Sequence, residues 1–238
     1  MKIEIYRHSE TQPWTYSQLD IRQRELAQNI SQGEEATLLL SELAPVITRG
    51  RRTPSTDLLT PSLRGHTEVL DIDRGGLATY HGPGQWVAFP IHRLEDSVGD
   101  SRGVHKVICK LLGAAAEVGR LYCETVEIRS GAELGVWNAQ GKFAAAGVHI
   151  ENGILLHGIA INGFRTPESF AGLRPCGLDL PVSYLLNEAD EYRFSQLGTQ
   201  IIDALFRALA PNHSKPARNA SFAAVESGKS HDLQQSCS

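Results

Sequence analysis

The chain has little of what would mark a membrane, secreted or nucleic-acid-binding protein. Only four of its 238 residues are cysteine, and no two form a C-x-x-C pair, which argues against a zinc ribbon or a thioredoxin-type centre. Thiols this sparse stay reduced in a cytosolic setting, so no disulfide framework is expected. Cys109 sits within a helical pattern and reads as a buried small hydrophobe; Cys237 reads as a tail thiol. Basic charge is not in excess: 23 Lys and Arg face 27 Asp and Glu, a net charge of −4, which argues against a nonspecific nucleic-acid binder. No apolar run approaches the ~18 residues that a membrane span needs. The opening MKIEIYRHSE lacks the apolar core of a signal peptide. The expectation is a cytoplasmic globular protein with no membrane association.

What is present is an alternation of strands and helices, consistent with one compact α/β (α+β) domain over residues 1–210. Strands are expected at Ile3–Tyr6, Ala36–Leu40, Val46–Thr48, Val69–Asp73, Gln85–Ile91, Val126–Arg129 and Leu134–Trp137. A helix is expected over Trp14–Ile30, ended by Gly33. Val104, Val107, Ile108, Leu111, Leu112, Ala115 and Val118 recur at helical spacing, as do Phe194, Leu197, Ile201, Leu205 and Leu209. Residues 211–238 are rich in Ser, Ala, Asn, Lys and Gln and read as a flexible tail without a catalytic part.

Two apolar runs, Lys142–Ile150 and Ile154–Ile161, meet at Glu151-Asn152-Gly153. Asn-Gly favours a type I′ turn, because both central residues take positive φ. Pairing Glu151 with Ile154 sets His149 opposite Leu156, His157 opposite Val148 and Lys142 opposite Gly163. The two histidines then point to opposite faces, which disfavours a metal site built from them.

The densest stretch is Arg74-Gly75-Gly76-Leu77-Ala78-Thr79-Tyr80-His81-Gly82-Pro83-Gly84-Gln85. Glycines let a backbone approach a ligand closely, and a simple turn does not need them together with Arg, Thr, Tyr and His. The spacing GxxxxGK[ST] is missing, and a strand rather than a helix follows, so this is neither a phosphate-binding loop nor a dinucleotide fingerprint.

This stretch resembles the signature of the lipoyl(octanoyl) transferases, RGGxxTYHGPGQ followed by an apolar strand. Gly141-Lys142-Phe143-Ala144-Ala145-Ala146-Gly147 is similar to that family's GKxAxxG. His157-Gly158-Ile159-Ala160-Ile161-Asn162 is similar to its HGxALN, and Arg174-Pro175-Cys176-Gly177 to its xPCG. Phe143 and Ile161 depart from the usual residues but keep an apolar strand position, and His149 stands where a basic residue is common.

The resemblance implies a mixed β-sheet flanked by helices, the fold of the biotin and lipoate protein ligase superfamily. It implies transfer of an octanoyl group from octanoyl-acyl carrier protein to a lysine of a lipoyl domain, in lipoate biosynthesis and without a cofactor or metal. The acceptors implied are the lipoyl domains of 2-oxoacid dehydrogenase complexes and the glycine cleavage H protein. Cys176 would be the acyl-thioester nucleophile and Lys142 its activator. Acyl-chain and thioester binding would fall to Arg74, Gly75, Gly76, Leu77, Ala78, Thr79, Tyr80 and His81, to Ala145, Ala146 and Gly147, and to Gly158, Ile159 and Ala160. The alternatives are an ATP-dependent lipoate or biotin ligase on the same scaffold, and a non-catalytic acyl-carrier binding module.

Cysteine suits the chemistry, because a thiolate takes over a thioester readily. A free thiol is only ~3% thiolate at pH 7. A nearby ammonium that lowered its pKa by ~1.5 units would raise the rate only about threefold, because nucleophilicity falls as well. Positioned proton transfer is worth ~10²–10⁴-fold, so Lys142 is better read as an acid and base. His81 reads as a loop-orienting residue, with a Cys-His base as its rival role, and His157 as a satisfied core histidine. Arg49, Arg51, Arg52, Arg64, Arg165 and Arg174 surround these loops as surface charge or as a basic docking rim for acidic acyl carrier protein.

Overall fold

A computed structural model describes residues 1–54, 67–170 and 181–210. Ten strands are described: β1 (Lys2–Tyr6), β2 (Thr37–Ser41), β3 (Val46–Arg49), β4 (Glu68–Asp71), β5 (Thr79–His81), β6 (Gln85–Arg93), β7 (Glu127–Arg129), β8 (Gly135–Asn138), β9 (Gly141–Glu151) and β10 (Ile154–Asn162). The helices are α1 (Tyr16–Ser31), α2 (Leu94–Val98), α3 (Val104–Gly119) and α4 (Glu191–Leu209). Seven strands form a mixed sheet in the order β1-β2-β6-β10-β9-β8-β7; β4-β3-β5 form a smaller one. Among the described residues no helix is long and apolar enough to cross a membrane.

Each helix follows from its sequence. Thr15 caps α1 in a reciprocal capping box with Gln18, and Leu19, Leu26 and Ile30 bury one stripe against the sheet. The apolar stripe of α3 packs on the opposite face with α4, in a core that includes Leu111, Leu112, Phe143, Ile159, Phe194 and Leu197. The α4 seat is aromatic: Trp86 stacks on Phe194 at 4.6 Å and donates Nε1–H to the Phe194 carbonyl at 2.9 Å. The sheet therefore has helices on both faces.

The hairpin takes the expected register, with Glu151 opposite Ile154, His149 opposite Leu156 and His157 opposite Val148. Asn152 (φ 50°) and Gly153 (φ 77°) both lie in the left-handed region that the turn requires. Two expectations change. The rungs between β9 and β10 end at Ile161 and Ala144, so Lys142 does not continue the ladder to Gly163. It bridges Val182 in parallel instead; its N–H donates to the Pro181 carbonyl and its carbonyl accepts from Ser183 N–H, both at 2.9 Å.

The histidines also do not diverge. His157 has φ 58°, which breaks the two-residue alternation and turns its ring toward the same carboxylate that His149 approaches, that of Asp73. The irregularity lies beside Pro90, which has no N–H for the β6–β10 ladder; the pairs of that ladder skip from Leu155 to Ile159.

Cys109 departs from its reading as well. It is half-buried and disulfide-bonded. It stands two positions from both Val107 and Leu111, about half a turn around α3 from their stripe, so the core does not enclose it. Cys123 is a free, half-buried thiol. Residues 211–238, read as a tail, lie outside the described residues.

Two glycines test this packing. A Cβ on Gly158 would lie 2.2 Å from the Ala88 carbonyl oxygen and 2.9 Å from Pro90 Cδ, whereas one on Gly113, inside α3, meets nothing within 4 Å. Gly158→Ala is expected to destabilise the protein by ~1–3 kcal/mol through overpacking. Gly113→Ala should stabilise it by ~0.5–1 kcal/mol through helix propensity. Urea unfolding midpoints of the two variants should move in opposite directions from the parent.

Candidate active site

A cavity of about 760 Å³ lies between the two sheets. Its walls are the glycine-rich stretch (Arg74–Leu77, Thr79, His81), β9 (Ala145–Val148), β10 (Gly158–Ala160), Val87 and Phe89 of β6, Tyr16 of α1, and Val104 and Ile108 of α3. Leu134, the Gly131–Ala132 turn and Arg52 complete the lining. Of the residues implied in binding, Ala78 and Tyr80 do not line it. Tyr80 alternates with Thr79 and His81 along β5, Ala78 immediately precedes the strand, and both pack with Ile47 and Phe170 in a small separate core.

The lining belongs to both faces of the large sheet. Val87, Phe89 and Ala160 share a core with α1, while Val148 and Ile159 belong to the core of α3 and α4. The cavity therefore wraps around the edge of β9. The backbone of the glycine-rich loop covers that edge, with Gly75 N–H donating to the Val148 carbonyl at 3.0 Å.

A buried polar cluster holds this loop. His157 is fully buried, and its Nε2 lies 2.6 Å from Asp73 Oδ1. With that proton on Nε2, Nδ1 accepts from the Tyr16 hydroxyl at 3.0 Å, and the His157 backbone N–H donates to Gln23 Oε1 at 2.9 Å. The His157 bond, then Arg24, hold the Asp73 carboxyl well below the usual carboxylate range. Asp73, His149 and Glu151 come close enough to suggest a cation site, but Arg24 already spans it, 3.1 Å from Asp73 and 3.3 Å from Glu151. Next along the chain, the Arg74 guanidinium is buried and donates to the Thr48 carbonyl and hydroxyl at 2.9 Å.

Lys142 lines a smaller pocket of about 30 Å³, which shares Thr79, Ala145 and Ala160 with the large cavity. Its Nζ donates to the Leu134 carbonyl at 3.0 Å and lies 5.0 Å from the Trp137 ring centre. A polar chain runs from His81 to the Lys142 backbone. His81 Nδ1 lies 2.6 Å from Gln85 Oε1; Gln85 Nε2 donates to Asn162 Oδ1, and Asn162 Nδ2 to the Ser183 carbonyl. Ser183 in turn donates its hydroxyl to the Gly141 carbonyl. Burial pushes the His81 imidazole down to about 4, so it is neutral near pH 7 and orients the loop rather than carrying charge. Cys176, Arg174 and Arg64 lie outside the described residues.

A model of the family described as the lipoyl protein ligase A/B catalytic domain matches residues 16–206. Curated octanoyltransferases match at similar extent. That of Corynebacterium jeikeium is 38% identical over 75% of this chain and 77% of its own length. That of Rhodococcus opacus is 39% identical over 70% of this chain and 66% of its own. The chain belongs to the octanoyltransferases of the lipoyl protein ligase A/B family.

The family's fold is shared by distant solved structures. A protein of T. acidophilum with bound lipoic acid has a TM-score of 0.63 at 11% identity, covering 87% of this chain and 85% of that one. A lipoate-protein ligase A bound with ATP has a TM-score of 0.60 at 12% identity, covering 87% and 83%.

Within this family member several lining residues had no signal in the sequence. Tyr16, Val87, Phe89, Ile108 and Leu134 look like ordinary core positions of a helix or strand, and only the packing of α1 and α3 brings them to the cavity. Of the arginines, Arg52 lines the cavity, Arg49 pairs with Asp71 and Arg51 lies 3.3 Å from His149 Nε2.

The buried neutral His81 sets a pH dependence. Its imidazole titrates near 6.5 when unfolded and about 4 when folded, so between those values the unfolded state binds the extra proton. Its stability contribution is whole above pH ~6.5 and falls by at most ~3 kcal/mol as pH drops to 4. Urea unfolding of His81→Asn at pH 7, 5 and 4 should lack that part of the parent's decline.

Proposed function

We propose that this octanoyltransferase moves an octanoyl group from acyl carrier protein to a lysine of a lipoyl domain through a thioester on Cys176. The observation that carries the reading is the junction of the two pockets. Lys142 stands at the head of a large cavity with mostly apolar walls, joined to it at Thr79, Ala145 and Ala160. Phe170 and Pro181, on either side of the stretch that holds Cys176, both line the Lys142 pocket. Five peptide units separate Cys176 from Pro181, at most about 18 Å of extended chain.

In the first half-reaction the Cys176 thiolate attacks the thioester carbonyl. The bond to the pantetheine sulfur breaks, and the departing thiolate takes a proton from the Lys142 ammonium. In the second, neutral Lys142 removes a proton from the acceptor lysine, which is almost wholly protonated at pH 7. The free amine attacks the acyl-cysteine, an amide forms and the Cys176 thiolate leaves. The remaining amide-nitrogen proton passes to solvent, and the thiolate and ammonium are restored. The donor's thioester already carries the activation, so the scheme uses no ATP. Arg52, in the lining of the cavity, suits an acidic donor protein. An archaeal bipartite lipoate protein ligase has been solved with its E2 lipoyl domain, which supports a lipoyl domain as the acceptor.

Incubation with octanoyl-acyl carrier protein in ATP-free, EDTA-treated buffer should add one octanoyl mass that hydroxylamine removes. Cys176→Ser should abolish the hydroxylamine-labile adduct. Lys142→Arg keeps the charge but cannot give up its proton at working pH, and is expected to slow both half-reactions by ~10²-fold or more. Single-turnover kinetics of a folded Lys142→Arg protein within fivefold of the parent would exclude the proton shuttle. A strict need for ATP and magnesium would support a ligase instead.

A further inference from the structure

We propose that Phe89 and Tyr16 form the end wall against which the acyl chain is measured, and that the chain lies in the lobe of the cavity facing α1. The inference rests on the octanoyl-transfer reading above.

The two lobes differ in enclosure. On the α3 side the lining includes exposed Val104, Gly131 and Ala132 and half-buried Ile108 and Leu134, so that lobe opens to solvent. On the α1 side Tyr16 is 1% exposed, Val87 1% and Phe89 4%. Strand register places the depth of this enclosed lobe. Ala145, Ala160 and Val87 form one row across the sheet, and two of these three, Ala145 and Ala160, also border the Lys142 pocket. One step deeper on the same face, Gly147 pairs with Gly158, with Phe89 on the neighbouring strand β6. Two residues of strand separate the rows, about 7 Å.

The second row carries no side chain on β9 or β10, and aromatic rings end it. Tyr16 meets Phe89 edge-on at 6.3 Å, and Phe89 meets the His157 ring edge-on at 5.4 Å. The Tyr16 hydroxyl is turned away to His157 Nδ1, so this wall needs no polar partner from a ligand. The seven carbon–carbon bonds of an extended octanoyl group advance about 9 Å, taking about 1.25 Å per bond. A carbonyl at the first row, beside the Lys142 pocket, therefore brings the terminal methyl to Phe89 and Tyr16.

The test is chain-length preference, measured as the ratio of kcat/KM between acyl-pantetheine thioesters of six, eight, ten and twelve carbons, with a lipoyl domain as acceptor. Each ratio is taken on one protein sample, so a variant that is only partly folded leaves it unchanged. A methylene newly able to bury is worth about fourfold. Phe89→Leu should raise the decanoyl-to-octanoyl ratio about fourfold or more. Val87→Phe, which fills the same lobe, should raise the hexanoyl-to-octanoyl ratio by a similar factor. Opposite shifts in the two variants would support the end wall. Unchanged ratios in both, or a longer preference in Ile108→Ala with none in Phe89→Leu, would overturn it and place the chain in the lobe beside α3. Failure of the parent protein to transfer any of the four acyl groups would instead overturn the octanoyl-transfer reading.

Discussion

His157 and Asp73 are joined by a 2.6 Å hydrogen bond that ties the glycine-rich loop to the large sheet. His157 belongs to β10, near the centre of the seven-stranded sheet; Asp73 follows β4, the edge of the small one. A non-glycine residue at φ 58° costs of order 1–3 kcal/mol. Here the cost is offset by bonds at three atoms of the same residue, to Asp73, Tyr16 and Gln23. Without the left-handed turn the ring would follow the two-residue alternation to the other face, beside α3. The Arg74–Gly76 backbone would then lose its anchor at the edge of β9, and the space between the sheets would have one wall fewer.

From that clamp the site divides by polarity. Toward Lys142 the contacts are hydrogen bonds in series, from His81 through Gln85 and Asn162 to Ser183 and the β9 backbone. Buried polar groups of this kind cost free energy unless every partner is present, so the chain resists displacement and holds the lysine strand in place. Toward α1 the surfaces are carbon, and the polar ends of Tyr16 and His157 are satisfied among themselves. A thioester transfer has the same division: a reacting carbonyl that must exchange protons and a tail that only needs to leave water. The proposed reaction uses both halves without requiring either to move.

Much of this was legible in the sequence where a local rule decides the outcome. The Asn152-Gly153 turn sets the hairpin register because the turn type admits one pairing. The apolar spacing of α3 and α4 follows the helical period. The glycine-rich stretch and the Gly141–Gly147 and His157–Asn162 blocks mark much of the cavity wall. Inside the stretch the three residues of β5 did not stand out as a strand, because so short a segment has no measurable period. The outward turn of Ala78 and Tyr80 was lost with it.

By itself the sequence determined the order of elements, the hairpin and its register, the family blocks and the candidacy of Lys142 and Cys176, because each depends on residues adjacent along the chain or on a preserved spacing. Tertiary structure alone decided which helices close the cavity, why Tyr16 and Phe89 meet, and that His149 and His157 converge on one carboxylate. It also decided that Lys142 pairs with Val182 rather than with the end of β10. Those outcomes depend on contacts between residues far apart in the chain. For the histidines and the cavity walls, a missing N–H at Pro90, a positive φ at His157 or an enclosing helix overrides the local period.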